Sequence, residues 1–345
     1  MSDRLPPEEG PVVVWGAGAM GGTIGARLIR AGRDVLFVDA DEAHAAAIRE
    51  RGLRVTGPVD DFTVPASCVT PDEVSGPLHA VLLAVKAHHT PGAMASITPL
   101  LASGGFVVSV QNGLNEHVIA RSIGLERTVG CFVNYGADVV EPGVIMRGNR
   151  GAVVVGELDG ARTPRIEWVY RLFLDFEPDA VLTDNILGFL WGKLAYGSML
   201  FATALAEASI ADVLAAPEHR PAVIGLAREA MAVAEALGIR PEPFDGFDPS
   251  AFAPESDDAA AHASLDRLVT FNRGSAKSHS GVWRDLAVRR RRTEVDAQIA
   301  PIAELGVEAR VDTPLTRRLV DLIHDVEEGR RVQGWDTLAE LSRLD

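Results

Sequence analysis

Residues 11–23 read Pro-Val-Val-Val-Trp-Gly-Ala-Gly-Ala-Met-Gly-Gly-Thr, an apolar run that leads directly into a glycine-rich turn with the spacing G-x-G-x-x-G. In this spacing, Gly16 allows a tight bend, Gly18 lets a ligand approach the backbone, and Gly21 lets a helix pack closely on the strand. The helix that follows directs its first N–H groups at an anion. The stretch therefore predicts a dinucleotide pyrophosphate site made by Gly16, Ala17, Gly18, Ala19, Met20 and Gly21.

A second apolar run, residues 35–38, ends in Asp39, where this motif places an acid that bonds the adenine ribose 2′-hydroxyl. A carboxylate accepts from a free hydroxyl but repels a 2′-phosphate, and no Arg or Lys lies between Asp39 and Ile48. The pattern favours NAD(H) as cofactor and leaves NADP(H) as the alternative. A purely structural interpretation is that Asp39 caps a helix starting near Glu42.

The length of 345 residues suggests two domains. A composition of 47% hydrophobic and 23% charged residues is typical of a globular protein. The formal net charge of -15 argues against nucleic acid or an anionic membrane as partner. The one basic run, Arg289 to Arg292, would spread around a helix and reads as a solvated or salt-bridged surface. The two cysteines form no framework, the histidines show no zinc spacing, and residues 1–10 are polar, so we expect a cytoplasmic protein without a metal site.

Strand-like and helix-like segments alternate up to about residue 183, which predicts a doubly wound parallel sheet of the Rossmann type. Ligands of such sheets lie beyond the carboxyl ends of the strands. Two strand exits carry polar side chains there, Lys86 and Asn112, although a solvated lysine and a simple Asn-Gly turn would explain them equally well. From residue 184 onward, long helix-like stretches replace this alternation. We therefore expect a dinucleotide-binding domain over residues 1–183 and an all-helical substrate and catalytic domain over 184–345.

Residues 185–206 contain a single charged side chain, Lys193. A lysine in the middle of a membrane-spanning helix costs about 2.5–3.5 kcal/mol on insertion scales, so a buried helix of a globular domain fits better. A lysine with reduced hydration is a better proton donor, which predicts an acid catalyst, whereas a lysine reaching the surface is the structural alternative. Asp285 and Glu294, nine residues apart, are the candidate carboxylate partners if one helix carries both.

Taken together, these motifs resemble the ketopantoate reductase (2-dehydropantoate 2-reductase) family over essentially the whole chain. The motifs that carry this resemblance, besides the glycine motif, are Val-Lys at Lys86, Gln-Asn-Gly-Leu from Gln111, Trp-x-Lys-Leu at Lys193, Thr-Glu-Val-Asp at 293–296 and Asp-Thr-Pro at 312–314. The resemblance implies reduction of a 2-oxo acid by NAD(P)H in a cleft between the domains, and a homodimer formed through the helical domain. It also implies that Lys193 is the general acid, that Lys86 and Asn112 contact cofactor and substrate, and that Glu294 bonds the nicotinamide ribose or positions Lys193.

The chain departs from the family pattern where asparagines usually follow the lysine by four and eight residues, because it has Gly197 and Phe201. We expect a flatter, more aromatic substrate face, made by Phe189, Tyr196, Gly197, Leu200 and Phe201. The family's Ser-Ser segment falls near Ser280, and Ser278 and Ser198 are the alternative sources of its hydroxyl. The prediction is an NAD(H)-linked hydroxy-acid oxidoreductase whose substrate differs from ketopantoate. The alternatives are a true 2-dehydropantoate 2-reductase and a non-catalytic NAD-binding redox sensor.

Overall fold

The computed structural model describes residues 10–274 and 278–343, which form two compact units. The first unit ends at Ile186 and the second begins at Leu187. The sequence-based boundary, between residues 183 and 184, falls just before the long helix that opens the second unit.

The first unit contains a large, mostly parallel sheet with helices packed against it, which confirms the predicted fold class. The strands of this sheet are β1 (Val12–Trp15), β2 (Val35–Val38), β5 (Ser67–Val69), β6 (Leu78–Leu83), β7 (Leu101–Ser109), β8 (Thr128–Val133), β11 (Val153–Glu157) and β12 (Val181–Leu182). Their spatial order is β12-β11-β8-β7-β6-β1-β2-β5, and only the pairing of β8 with β11 is antiparallel. The helices of the unit are α1 (Ala19–Arg30), α2 (Glu42–Arg51), α3 (Thr90–Ile97), α4 (Glu116–Ile123) and α5 (Pro164–Phe176).

A second, smaller sheet in the same unit was not predicted from the sequence. Its strands are β3 (Leu53–Thr56), β4 (Phe62–Val64), β9 (Ala137–Glu141) and β10 (Val144–Arg147). Their spatial order is β4-β3-β10-β9. The last residue of β10, Arg147, is buried and is bonded through Nη1 to Asp60 Oδ2 (2.9 Å) and through Nη2 to Glu177 Oε2 (3.0 Å). A buried guanidinium is tolerated only with such partners, so these bonds tie the small sheet to both its own loop and the end of α5.

Helix α1 lies close against the large sheet because two glycines face it. A Cβ on Gly21 would lie 2.9 Å from Val14 Cγ1, and one on Gly25 would lie 2.4 Å from the ring of Phe37. Any side chain at these positions would push the helix away from β1 and β2. Gly21 of the opening motif, together with Gly25, thus sets the distance between α1 and the large sheet.

The second unit is helical. Its described helices are α6 (Ile186–Thr203), α7 (Ile210–Ala215), α8 (Arg220–Ala236), α9 (Asp258–Gly274), α10 (Gly281–Ala287), α11 (Val295–Gln298), α12 (Ala300–Ala309), α13 (Pro314–Glu327) and α14 (Trp335–Ala339). Helix α6 is long and apolar enough to span a membrane by composition alone, but 67% of it is buried inside the protein, as in the core of a globular domain.

One local prediction about this unit was wrong. The arginine run at 289–292 does not continue a helix, because α10 ends at Ala287 and the run forms the loop before α11. Asp285 and Glu294 therefore do not share a helix.

Candidate cofactor site and active site

The turn between β1 and α1 has the geometry that the glycine motif requires. Gly16 has φ +105°, and a Cβ there would lie 2.8 Å from the backbone nitrogen of Val85. Gly18, in contrast, is open, because no atom of the described residues comes within 4 Å of the position its Cβ would take. Gly18 is also the N-cap of α1, which has no side-chain cap in the described part of the chain. The turn therefore fits a diphosphate that approaches the backbone at Gly18 and meets the first N–H groups of the helix.

Asp39, at the carboxyl end of β2, lies beside this turn. Its Oδ2 accepts from Ala17 N (2.8 Å) and its Oδ1 accepts from Asp41 N (2.9 Å). The cap of α2 is Asp41, whose Oδ1 accepts from His44 N (3.0 Å), so the interpretation of Asp39 as the helix cap was wrong. Each oxygen of Asp39 keeps a lone pair that can accept from a ribose hydroxyl.

The exits of β6 and β7 lie side by side, because the two strands pair in parallel and β6 pairs with β1. Lys86 and Asn112, both half-buried, follow these strands. A chain of hydrogen bonds between side chains connects the two exits. Gln111 Nε2 donates to Val85 O and to Thr90 Oγ1 (2.8 Å each), Thr90 Oγ1 donates to Asn115 Oδ1 (2.9 Å), and Asn115 Nδ2 donates to Asn112 O (2.8 Å). The backbones that carry Lys86 and Asn112 are thus fixed relative to each other.

Glu116, the first residue of α4, follows the Asn112 loop in the chain and is buried. Burial penalises its charged form and raises the pKa of the carboxyl from 4.5 to about 7. In a large fraction of the molecules this carboxyl is therefore neutral at physiological pH.

In the second unit, Lys193 lies on a half-buried stripe of α6 whose other members are aromatic, small or aliphatic. Positions three, four and seven residues apart share a helix face, which aligns Lys193 with Phe189, Tyr196, Gly197 and Leu200. Phe201, which the prediction assigned to this face, is buried at 2% exposure and belongs to the core of the unit.

Tyr196 is held by aromatic neighbours and by a hydrogen bond with Asn272. Its ring centroid lies 5.3 Å from that of Phe247 and 6.1 Å from that of Phe244. Burial raises the pKa of its phenol above the ordinary value, so the hydroxyl stays protonated. Next to it, a Cβ on Gly197 would find only Ile299 Cδ1, at 4.0 Å, among the described residues. The stripe therefore has open space beside an aromatic surface.

Glu294 caps the short helix α11, and the residues on either side of it are bound to α13. Thr293 donates through both its backbone nitrogen and its hydroxyl to Glu327 Oε1 (2.7 Å each), and Asp296 Oδ1 lies 2.9 Å from His324 Nε2. These contacts fix the backbone of Glu294, which is half-buried. No sequence motif marks Glu327 or His324, since each is one polar residue of an amphipathic helix.

The other two candidates of this segment have structural contacts. Ser280 is buried and caps α10, its Oγ accepting from Trp283 N (3.1 Å). Asp285 Oδ1 accepts from Arg289 Nη1 and from Arg291 Nε (3.0 Å each), so two arginines of the run are ion-paired. A role of Ser280 in substrate binding stays a prediction.

Each unit thus assembles part of the predicted site. In the first unit the glycine turn, Asp39, Lys86 and Asn112 all lie at the carboxyl edge of the large sheet, where doubly wound folds bind ligands. In the second unit the stripe of α6 carries Lys193, Tyr196 and Gly197, and Glu294 lies on an anchored segment.

Comparison with known proteins identifies the same family in both units. Residues 12–160 match the family model described as ketopantoate reductase PanE/ApbA, and residues 185–327 match the model of its C-terminal domain. The 2-dehydropantoate 2-reductase of Mesorhizobium japonicum is 27% identical over 335 residues, 90% of this chain and 96% of that protein.

Among solved structures, 2-dehydropantoate 2-reductase from Geobacter metallireducens is 26% identical, with a TM-score of 0.75 over 93% of this chain and 100% of that one. D-mandelate dehydrogenase with NADH and anilino(oxo)acetate gives a TM-score of 0.79 at 21% identity, over 93% of this chain and 99% of that one. The latter likeness concerns the fold alone. The two family models together account for most of both units, and the chain belongs to the ketopantoate reductase PanE/ApbA family of NAD(P)-dependent oxidoreductases acting on CH–OH groups.

Proposed function

We propose that this protein interconverts a 2-oxo acid and the corresponding 2-hydroxy acid with NAD(H), and that its substrate carries an apolar substituent in place of the hydroxylated one of ketopantoate. Cofactor choice rests on Asp39, whose carboxylate lies within hydrogen-bonding reach of the glycine turn and is held by two backbone N–H groups. A negative charge there accepts from a ribose hydroxyl and repels a 2′-phosphate.

Lys193 is the residue to which we assign proton transfer. When bound, the nicotinamide supplies the hydride that reduces the substrate carbonyl. The Lys193 ammonium stabilises the negative charge that develops on the carbonyl oxygen and donates a proton from Nζ. In the oxidative direction the neutral Nζ accepts the proton of the hydroxyl. We assign Lys86, Asn112 and Glu294 to holding the ends of cofactor and substrate in place.

The observation that carries the substrate assignment is the composition of the stripe around Lys193. Phe189, Tyr196 and Leu200 present rings and an aliphatic side chain, and Gly197 leaves open the place where the family usually has an asparagine. A site that recognises a substrate hydroxyl needs a polar partner for it, because an unpaired buried polar group is costly. The stripe instead favours burial of apolar surface.

The test is a set of initial rates with NADH and with NADPH, using ketopantoate, a branched aliphatic 2-oxo acid and phenylglyoxylate. We expect kcat/KM to be at least about 10-fold higher for an apolar substrate than for ketopantoate, and higher with NADH than with NADPH. Lys193→Met should lower kcat by about 100- to 10,000-fold while the Kd for NADH stays unchanged.

The second candidate, a true 2-dehydropantoate 2-reductase, is favoured by the full-length similarity to the Mesorhizobium protein. Preferred turnover of ketopantoate would establish it and refute the substrate assignment. Tight NADH binding without turnover of any 2-oxo or 2-hydroxy acid would instead favour a redox-sensing protein.

A further inference from the structure

His44, on α2, is a buried histidine that the sequence motifs do not include. Its Nε2 lies 3.0 Å from the carbonyl oxygen of Ala17, the residue between the first two glycines of the motif. Its Nδ1 accepts from the backbone nitrogen of Gly143 (3.1 Å), in the turn between β9 and β10. One imidazole thus joins the glycine turn of the large sheet to the turn of the small sheet.

These two contacts define which ring nitrogen carries the proton. The Gly143 N–H is a donor, so Nδ1 must be the unprotonated acceptor. The hydrogen then resides on Nε2, which donates to Ala17 O. Both nitrogens of the imidazole are therefore used by the backbone.

The bond to Ala17 O determines the direction of the next N–H group. In a planar trans peptide the C=O of Ala17 and the N–H of Gly18 point in opposite directions. Because His44 holds the carbonyl on its side, the Gly18 N–H points away from α2. Asp39 holds the Ala17 N–H in the same way (2.8 Å), so both polar groups of Ala17 are fixed by side chains. The space at Gly18 is open among the described residues.

We propose that His44 is a positioning residue for the dinucleotide: through Ala17 it aims the Gly18 N–H at the diphosphate. The inference rests on the NAD(H) binding proposed above and adds a role for the small sheet, whose β9–β10 turn fixes the histidine. An anion bound at a helix N-terminus gains most from N–H groups that are already oriented before it arrives.

Two substitutions separate the two contacts. The amide nitrogen of glutamine reaches the position of Nε2, so His44→Gln keeps a donor for Ala17 O but gives up the acceptor for Gly143 N. Asparagine reaches only the position of Nδ1, so His44→Asn can keep the acceptor and loses the donor. Both variants remove one buried hydrogen bond. We expect similar losses of stability and different losses of NADH affinity.

The measurements are the NADH Kd by titration calorimetry and amide hydrogen exchange of the peptide covering residues 16–22. We expect His44→Asn to raise the Kd by about 10-fold and to speed exchange in that peptide, and His44→Gln to stay within about 3-fold of the unmodified protein. His219→Asn is the matched control, since His219 is also buried but stacks on Trp335 in the helical unit. It should lower stability without changing the Kd.

Two outcomes would overturn the role of His44: an NADH Kd that is unchanged in both His44 variants, or a Kd that rises by the same factor in both. Failure of the unmodified protein to bind NADH would overturn the proposed function itself. In that event hydrogen exchange would still show whether His44 orders the turn, so the two failures can be told apart.

Discussion

At the scale of single residues, Asp39 combines two roles that predict a measurable cofactor preference. Its oxygens accept from the Ala17 and Asp41 N–H groups, and the same carboxylate faces the place of the adenine ribose in our proposal. Asp39→Asn removes the charge and keeps one acceptor oxygen. We expect the Kd for NADH to rise by about 10-fold and discrimination against NADPH to fall by a similar factor.

The control for this substitution is Asp41→Asn, which changes the neighbouring carboxylate. Asp41 caps α2, and asparagine caps about as well as aspartate, so stability and cofactor preference should both be retained. If Asp41→Asn shifted the preference as much as Asp39→Asn, the selectivity would come from general negative charge near α2.

The helix face on which Lys193 lies could be predicted because a short-range rule applies to it. Lys193 lies on a half-buried stripe because positions 189, 193, 196 and 200 follow the helical repeat. Phe201 was assigned to that stripe wrongly, since eight residues leave it about 80° off the face of Lys193. His44 could not be identified, because its partners Ala17 and Gly143 are brought together only by the small sheet.

At the scale of elements, two glycines of α6 predict opposite responses to substitution. A Cβ on Gly197 would meet only Ile299 Cδ1 at 4.0 Å among the described residues, so Gly197→Asn should fold normally. It restores the residue that the family usually has four positions after the lysine. We expect kcat/KM for ketopantoate to rise by about 10-fold and that for an apolar 2-oxo acid to fall.

The matched steric control is Gly192→Ala in the same helix. A Cβ there would lie 2.6 Å from the carbonyl oxygen of Glu242, so the backbone must shift, at a cost of about 1–3 kcal/mol. Thermal unfolding should show the loss for Gly192→Ala and not for Gly197→Asn. A stable Gly197→Asn variant with unchanged specificity would refute the assignment of this stripe to the substrate.

Helices and strands were predicted well where apolar runs and glycines mark them. They were predicted poorly where contacts between side chains determine where an element ends. Arginine is a good helix former, which is consistent with the prediction that a helix carries the run at 289–292. In the structure α10 ends at Ala287, and Asp285 binds Arg289 and Arg291 from the loop. Such contacts between side chains cannot be inferred from propensity.

At the scale of the whole molecule, the buried carboxyl of Glu116 predicts that stability falls as pH rises. Its pKa is about 7 in the folded protein, against an ordinary value of 4.5. The folded state therefore binds the proton more tightly, and the contribution to stability is lost as pH rises from below 5 through 7. The full effect is of the order of 3 kcal/mol.

Glu116→Gln removes this titration, so its free energy of unfolding should change less between pH 5.5 and pH 8.5 than that of the unmodified protein. Urea unfolding at the two pH values measures the difference. Glu126→Gln, at an exposed position, should behave like the unmodified protein. An unchanged pH dependence in Glu116→Gln would mean that other groups cause it.

The overall class of fold followed from the sequence, because alternating strands and helices leave few topologies. The small sheet did not, for a physical reason. Its strands have three to five residues, and β3 pairs with β10, whose partner residues Arg54 and Val144 are far apart in the chain. Short strands joined over such distances have no local pattern that indicates their pairing.

The partners of Arg147 also bear on the order in which the chain can fold during synthesis. Asp60 precedes Arg147 by 87 residues and Glu177 follows it by 30. At translation rates of about 5–20 residues per second, Asp60, which also pairs with Arg27, meets the guanidinium of Arg147 only several seconds later, and β3 waits as long for β10. A nascent chain that stops before residue 177 holds an arginine with half of its counter-charge missing. We therefore expect the first unit to become resistant to protease on the ribosome only after Glu177 has left the exit tunnel.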